Sequence, residues 1–229
     1  MKTFFKKSRL AVALTALSLL SGGGAQAAIF EIDFTTSGAF NGNGSHVPVS
    51  PGPNTVFATA VFDDHGGSGP VTLTMSVLNN LSEGAYVNDW YFNVSSAPLT
   101  SVTFVPGGTP ATGVSFTADC CKADGTGGNF DLRFQFPTNN PGELAQGHTS
   151  VYNLAGAGIT ANSFNAFSVG AGPGGPYLSA LHVQGYGDSA WIGAKQGGGG
   201  GGAQVPEPAT LALMGLGLFG IAATRRRRG

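Results

Sequence analysis

Apolar and polar residues alternate with a period of two along the middle of the chain. In Val71–Val77 the positions Val71, Leu73, Met75 and Val77 are apolar, and the three between them are hydroxylic. Successive Cβ atoms of an extended chain point to opposite faces, so this pattern predicts a strand with one face buried and one in water. Phe130–Phe136 repeats it, with Phe130, Leu132, Phe134 and Phe136 directed inward and Asp131, Arg133 and Gln135 outward. Shorter runs of the same kind predict strands at Ile29–Phe34, Val56–Phe62, Tyr86–Val94, Leu99–Val105, Val114–Ala118, Val151–Leu154, Phe164–Val169, Tyr177–Val183 and Ala190–Ile192. Gly, Pro, Asn and Asp cluster between the runs, and helical periodicity is nearly absent. Strands with one alternating face each bury those faces by pairing two sheets. The expected fold is therefore all-β, a β-sandwich for which a jelly roll is one topology and a closed barrel the alternative.

The two ends follow different rules. At the front, Lys2, Lys6, Lys7 and Arg9 precede the apolar run Leu10–Leu20, and small residues follow up to Ala25-Gln26-Ala27. Basic, apolar and small-residue regions in that order form a secretory signal, with cleavage expected between Ala27 and Ala28. The run is short for a membrane-spanning segment, which disfavours an uncleaved anchor. At the back, Leu211–Ala223 is apolar but would make only ~20 Å of helix against a slab of ~30 Å. Arg225, Arg226, Arg227 and Arg228 follow as a stop-transfer cluster expected to stay cytoplasmic, leaving the β domain on the exported side. The domain boundaries expected from this are 1–27 for the signal helix, 28–194 for the β domain, 195–204 for a glycine-rich linker and 205–229 for a sorting segment with its membrane helix.

Val205-Pro206-Glu207-Pro208, a glycine-rich apolar stretch and a terminal arginine cluster resemble the PEP-CTERM sorting signal. That resemblance implies that Pro206, Glu207 and Pro208 are recognised by an exosortase of a Gram-negative bacterium. It further implies transient anchoring in the inner membrane, display at the cell surface or in the extracellular matrix, and association with exopolysaccharide and biofilm. The physical reading is compatible: two prolines fix φ and remove donors, which holds an extended peptide upstream of the helix, and Gly197–Gly202 is a flexible tether. The stretches Asn79–Val94, Ser179–Gly185 and Ser189–Gly193 also resemble segments of other PEP-CTERM proteins, with no functional residue carried over. Gly215-x-Gly217-x-x-Gly220 matches a dinucleotide fingerprint but lies in the apolar tail, without the strand-turn-helix context that gives the pattern meaning.

Charge narrows the partners. Between residues 28 and 204 eleven carboxylates face only Lys122, Arg133 and Lys195, a net charge of about −8. Nucleic acid is excluded as a partner of such a surface, since phosphate backbones bind through basic residues. Neutral glycans and divalent cations remain admissible. The two cysteines, Cys120 and Cys121, are adjacent and make no ordinary staple, because consecutive Cα atoms are only ~3.8 Å apart. A vicinal disulfide, free thiols and an intermolecular link all stay open.

No residue is assigned a catalytic role and no cofactor is expected. Glu31 and Asp33 share one face of a strand, as a glycosidase pair would, but alternate with Phe30, Ile32 and Phe34 as ordinary outward residues do. Asp63, Asp64, Asp119 and Asp124 are weak calcium candidates, with His65, Asn129 and Asp131 nearby, although neither group follows a calcium-loop spacing. His46, His65, His148 and His182 are scattered, His182 being expected to point away from Leu181 and Val183. Gly66-Gly-Ser-Gly-Pro70 fails the nucleophile-elbow pattern at its last position. Trp90 and Trp191, with Tyr91, Tyr177 and Tyr186, could stack on sugar rings or fill a core. A carbohydrate-binding module is therefore the alternative to a structural or interaction protein. Sequons at Asn43, Asn80 and Asn93 carry little meaning in a bacterium.

Overall fold

The structure is a computed structural model and describes residues 27–195, apart from 43, 68, 83, 96, 97, 125, 126 and 173. The expected signal helix, the linker from residue 196, the sorting motif Pro206-Glu207-Pro208, the expected C-terminal membrane helix and Arg225 to Arg228 lie outside the described residues, as does Asn43. Among the described residues no helix is long and apolar enough to cross a membrane.

The described chain is all-β. Its strands are β1 (Ile29–Phe34), β2 (Ala39–Gly42), β3 (Ala58–Asp63), β4 (Val71–Val77), β5 (Tyr86–Phe92), β6 (Leu99–Phe104), β7 (Gly113–Lys122), β8 (Asn129–Gln135), β9 (Leu144–Ala145), β10 (Thr149–Gly156), β11 (Ser179–Gln184) and β12 (Ala190–Ala194). They form two antiparallel sheets, in the orders β1-β3-β4-β10-β6 and β2-β12-β11-β5-β8-β7, with β9 added to β5. The sheets lie face to face, because rings from one meet rings from the other: Phe34 meets Trp90 edge-on at 5.2 Å, Phe62 meets Phe92 at 5.2 Å, and Tyr152 meets Phe134 at 4.6 Å. Aromatic pairs of this kind stabilise beyond the area they bury. The described ladders do not close into a barrel: β1 and β6 edge one sheet, β2 and β7 the other.

Alternation accounts for the core. In β4 the apolar positions are buried and the hydroxylic ones half-exposed, and in β8 Leu132 and Phe134 enter the same core while Phe130, expected beside them, is buried in a second, smaller cluster. β5 departs from the rule, since every residue from Val87 to Phe92 is buried. A bulge explains part of this: Leu181 pairs with Trp90 and Val183 with Val87, leaving Asn88 as the extra residue. The extra residue returns Val87 to the core face that Trp90 already occupies. The rest follows from a covering on the outer face, described below.

Two strands escaped the sequence pattern and one expected strand is absent. β2 is short, ends in glycine and is mostly exposed, while β9 has two residues. The expected strand Phe164–Val169 is a 3-10 turn, Ala161–Phe164, followed by a single bridge from Val169 to Asn129. Thr160 N–H donates to Ser163 Oγ at 3.1 Å to start that turn, and Phe164 stacks on Phe62 at 4.1 Å.

Candidate functional site

With Trp90, Phe134, Leu181 and Ile192 turned into the core, the residues between them are forced onto the outer face of the second sheet. There Trp191 pairs with His182 across β12 and β11, and their rings stack nearly parallel at 4.4 Å. His182 thus points away from the buried Leu181 and Val183, as expected. Burial pushes its imidazole below the ordinary value, against the opposing charge of Asp124. Next along the sheet, Tyr91 pairs with Arg133, whose guanidinium carbon sits 5.6 Å from the centre of the tyrosine ring. Arg133 Nε and Nη2 donate to Asp89 Oδ1 at 2.7 and 2.6 Å, and Asn88 Nδ2 donates to Asp89 Oδ2 at 2.9 Å. Burial raises the Asp89 carboxyl above its usual range in spite of these donors.

An outer face normally meets water, yet Tyr91 is 3% and Asp89 5% exposed. A second, smaller cluster covers Tyr91: Cys121, Ala123, Phe130, Tyr177 and Ala180, flanked by Phe40 and Trp191. The cover starts where β7 slips out of register with β8 between Phe116 and Cys121. Asp131 fastens that slip, accepting the N–H of Asp119 at 2.8 Å and of Val94 at 2.9 Å. Cys120 and Cys121 form a vicinal disulfide at the slip, the first of the three possibilities left by their adjacency.

At the β2 and β12 end of this face lies a cleft of about 450 Å³ lined by Asp33, Thr35, Ser37, Phe40, Tyr177 and Lys195. Phe40 and Tyr177 stack at 4.7 Å, and Lys195 Nζ lies 5.8 Å from the Tyr177 ring centre. Gly193 makes this possible, since a Cβ there would stand 2.2 Å from Tyr177 Cδ1. The cleft combines aromatic carbons with hydroxyl, carboxylate and ammonium groups, a lining that suits a small polyhydroxylated ligand. Burial raises the Asp33 carboxyl, and burial followed by the charge of Asp33 raises Glu31.

The remaining sequence candidates have other partners. Trp90 is fully buried, donating Nε1–H to Ser179 Oγ at 3.2 Å, so the stacking role expected of it is corrected: it presents no ring face to a ligand, whereas Trp191 is half-buried. The calcium candidates are not brought together, and among the described residues no three His, Cys, Asp or Glu side chains group as metal ligands. Asp63 Oδ1 accepts His65 N–H at 2.8 Å, ordinary turn chemistry. Asp64 accepts three backbone amides, Asp119 lies at the β7 slip, and Asp124 accepts a hydrogen bond from Asn41 Nδ2. Asn80 and Asn93 turn their amide groups to the carbonyls of Val56 and Tyr177. Phe40 and Lys195 had no signal in the sequence, being a lone aromatic between glycine-rich turns and the first residue of the expected linker.

A family model, the PEP-CTERM protein-sorting motif, matches residues 204–228. The chain therefore carries an exosortase-directed sorting signal at its C-terminal end, and is an exported protein addressed to the cell surface. No curated protein and no solved structure matches it.

Proposed function

We propose that the β domain is a non-catalytic structural or interaction module of the cell surface or extracellular matrix of a Gram-negative bacterium, held among exopolysaccharide after exosortase processing. The observation that carries this reading is the sorting motif at residues 204–228, which directs how the domain is delivered. Three features support a passive module. The buried carboxylates Asp64 and Asp89 are taken up by structural hydrogen bonds, Glu31 and Asp33 lie on an edge strand, and the acidic surface disfavours polyanionic partners. The test is fractionation of cells carrying an epitope in the glycine linker, with and without exopolysaccharide synthesis. Retention in the matrix only when the polymer is made supports the proposal; recovery in the cytosol, or identical distribution in both strains, overturns it.

The cleft at Phe40, Tyr177 and Lys195 favours one second reading, a carbohydrate-binding module for neutral glycans. Stacked rings beside hydroxyl and carboxylate groups suit the apolar face and the hydroxyls of a sugar. Binding on a glycan array that is lost in Phe40→Ala, with the thermal transition retained, supports it; the absence of binding to any neutral glycan counts against it.

A further inference from the structure

Asp64 is 3% exposed, and its carboxylate has no cationic side chain among the described residues. Its oxygens instead collect backbone amides from three separate parts of the fold. Oδ1 accepts Ala28 N–H at 2.8 Å and Gly66 N–H at 3.1 Å, while Oδ2 accepts Ala161 N–H at 3.2 Å. The Asp64 amide answers by donating to Ala28 O at 3.2 Å, so residues 28 and 64 clasp each other in both directions. The start of β1, the β3–β4 turn and the 3-10 turn before β11 thus meet on one carboxylate. A buried charge satisfied only by dipoles is costly, and a cation at the same place would offset that cost.

Ala28 is also the residue that the Ala25-Gln26-Ala27 pattern places immediately after the signal cleavage point. We propose that signal-peptide removal completes this site: the α-ammonium created at Ala28 forms a partly buried ion pair with Asp64 that the precursor lacks. In the hydrolysis, water adds across the Ala27–Ala28 peptide bond, the leader keeps a carboxylate on Ala27, and the freed Ala28 amine takes up a proton. The nitrogen already lies at hydrogen-bonding distance from Asp64 Oδ1, so the new charge needs no rearrangement. The mature domain is then tied at its first residue to the turn between β3 and β4 by a charge, where the uncleaved chain offers the carboxylate only a neutral amide. Export and final stability are coupled in this way through one side chain.

The test exports the full precursor in a host with signal peptidase, extracts it in mild detergent and reads the mature N-terminus by intact mass. A limiting acylating reagent at neutral pH then compares the α-amine in the folded and guanidinium-unfolded chain, with Lys122 as the exposed internal reference. The expected result is a chain beginning at Ala28, with its α-amine acylated about tenfold more slowly when folded, and with that protection lost in Asp64→Asn. To separate loss of the ion pair from loss of the fold, a second variant inserts one glycine between Ala27 and Ala28. This moves the terminus outward by ~3.8 Å and leaves Asp64 intact; it is expected to lower the melting temperature and restore reactivity. A mature chain beginning elsewhere, equal reactivity in the folded and unfolded chain, or an inserted glycine that changes neither the melting temperature nor the protection would each overturn the proposal.

Discussion

Removing the guanidinium of Arg133 while keeping its apolar stem, as in Arg133→Met, leaves Asp89 buried with only Asn88 as its side-chain donor. Breaking one side of a buried pair costs about 3–5 kcal/mol, and because the side chain of Arg133 is 34% exposed against 8% for that of Asp89 the lower end, about 3 kcal/mol, is the relevant figure. For a domain of this size that is a fall in melting temperature of roughly 6–12 °C. The loss depends on pH in a definite direction. Burial already raises the Asp89 carboxyl when Arg133 is present, and Arg133 is among the groups that lower it. A carboxyl whose folded value is raised binds its proton more tightly in the folded state, so its contribution falls as pH rises from the unfolded to the folded value. In the variant the raise is larger, and acidification neutralises Asp89 and narrows the deficit. Urea titrations of wild type and Arg133→Met at pH 7 and pH 4.5, followed by tryptophan fluorescence, measure both quantities. The expected result is a large deficit at pH 7 that shrinks at pH 4.5, with Asp89→Leu/Arg133→Met recovering part of the loss at pH 7. A deficit that is equal at the two pH values, or that stays under about 1 kcal/mol, would refute the reasoning.

Other perturbations follow from the packing. Phe62→Ala removes a fully buried ring that touches Phe30, Phe92 and Phe164, and should cost about 3–5 kcal/mol by chemical denaturation. Gly193→Ala places a methyl 2.2 Å from the Tyr177 ring and should cost about 1–3 kcal/mol in the same assay while displacing the ring that walls the cleft. Reducing the bond between Cys120 and Cys121 should change stability by less than about 1 kcal/mol, because a bond between adjacent residues closes almost no loop. Thermal melts with and without reductant check this.

How much of the fold could be read from the chain depends on whether one face of a strand stays in water. β4 and β8 alternate cleanly because their outer faces carry hydroxyls and charges, and both were legible to within a residue. In the Asp89-Trp90-Tyr91-Phe92 run both faces of β5 are covered, so pattern alone did not tell which aromatic belongs to the core. Trp90 and Trp191 therefore read alike in sequence and differ in the fold: one is fully buried, the other stacks on His182 outside. β2 was invisible because glycine and asparagine give it no strand signature, and it exists through pairing with β12. Asp63 and Asp64 showed a turn, which is local chemistry. The ties from Asp64 to Ala28 and Ala161 reach across 36 and 97 residues, and no local spacing encodes them.

Delivery of the β domain by the sorting motif at residues 204–228, with the proposed cut beside it, is open to a direct test. Intact-mass analysis of the protein from exosortase-positive cells and from cells lacking the enzyme measures that directly. The expected result is a chain from the positive cells that has lost the segment beyond Pro206-Glu207-Pro208, and a chain from the deficient cells that keeps Arg225 to Arg228. The same mass in both, with the arginines retained, would contradict it.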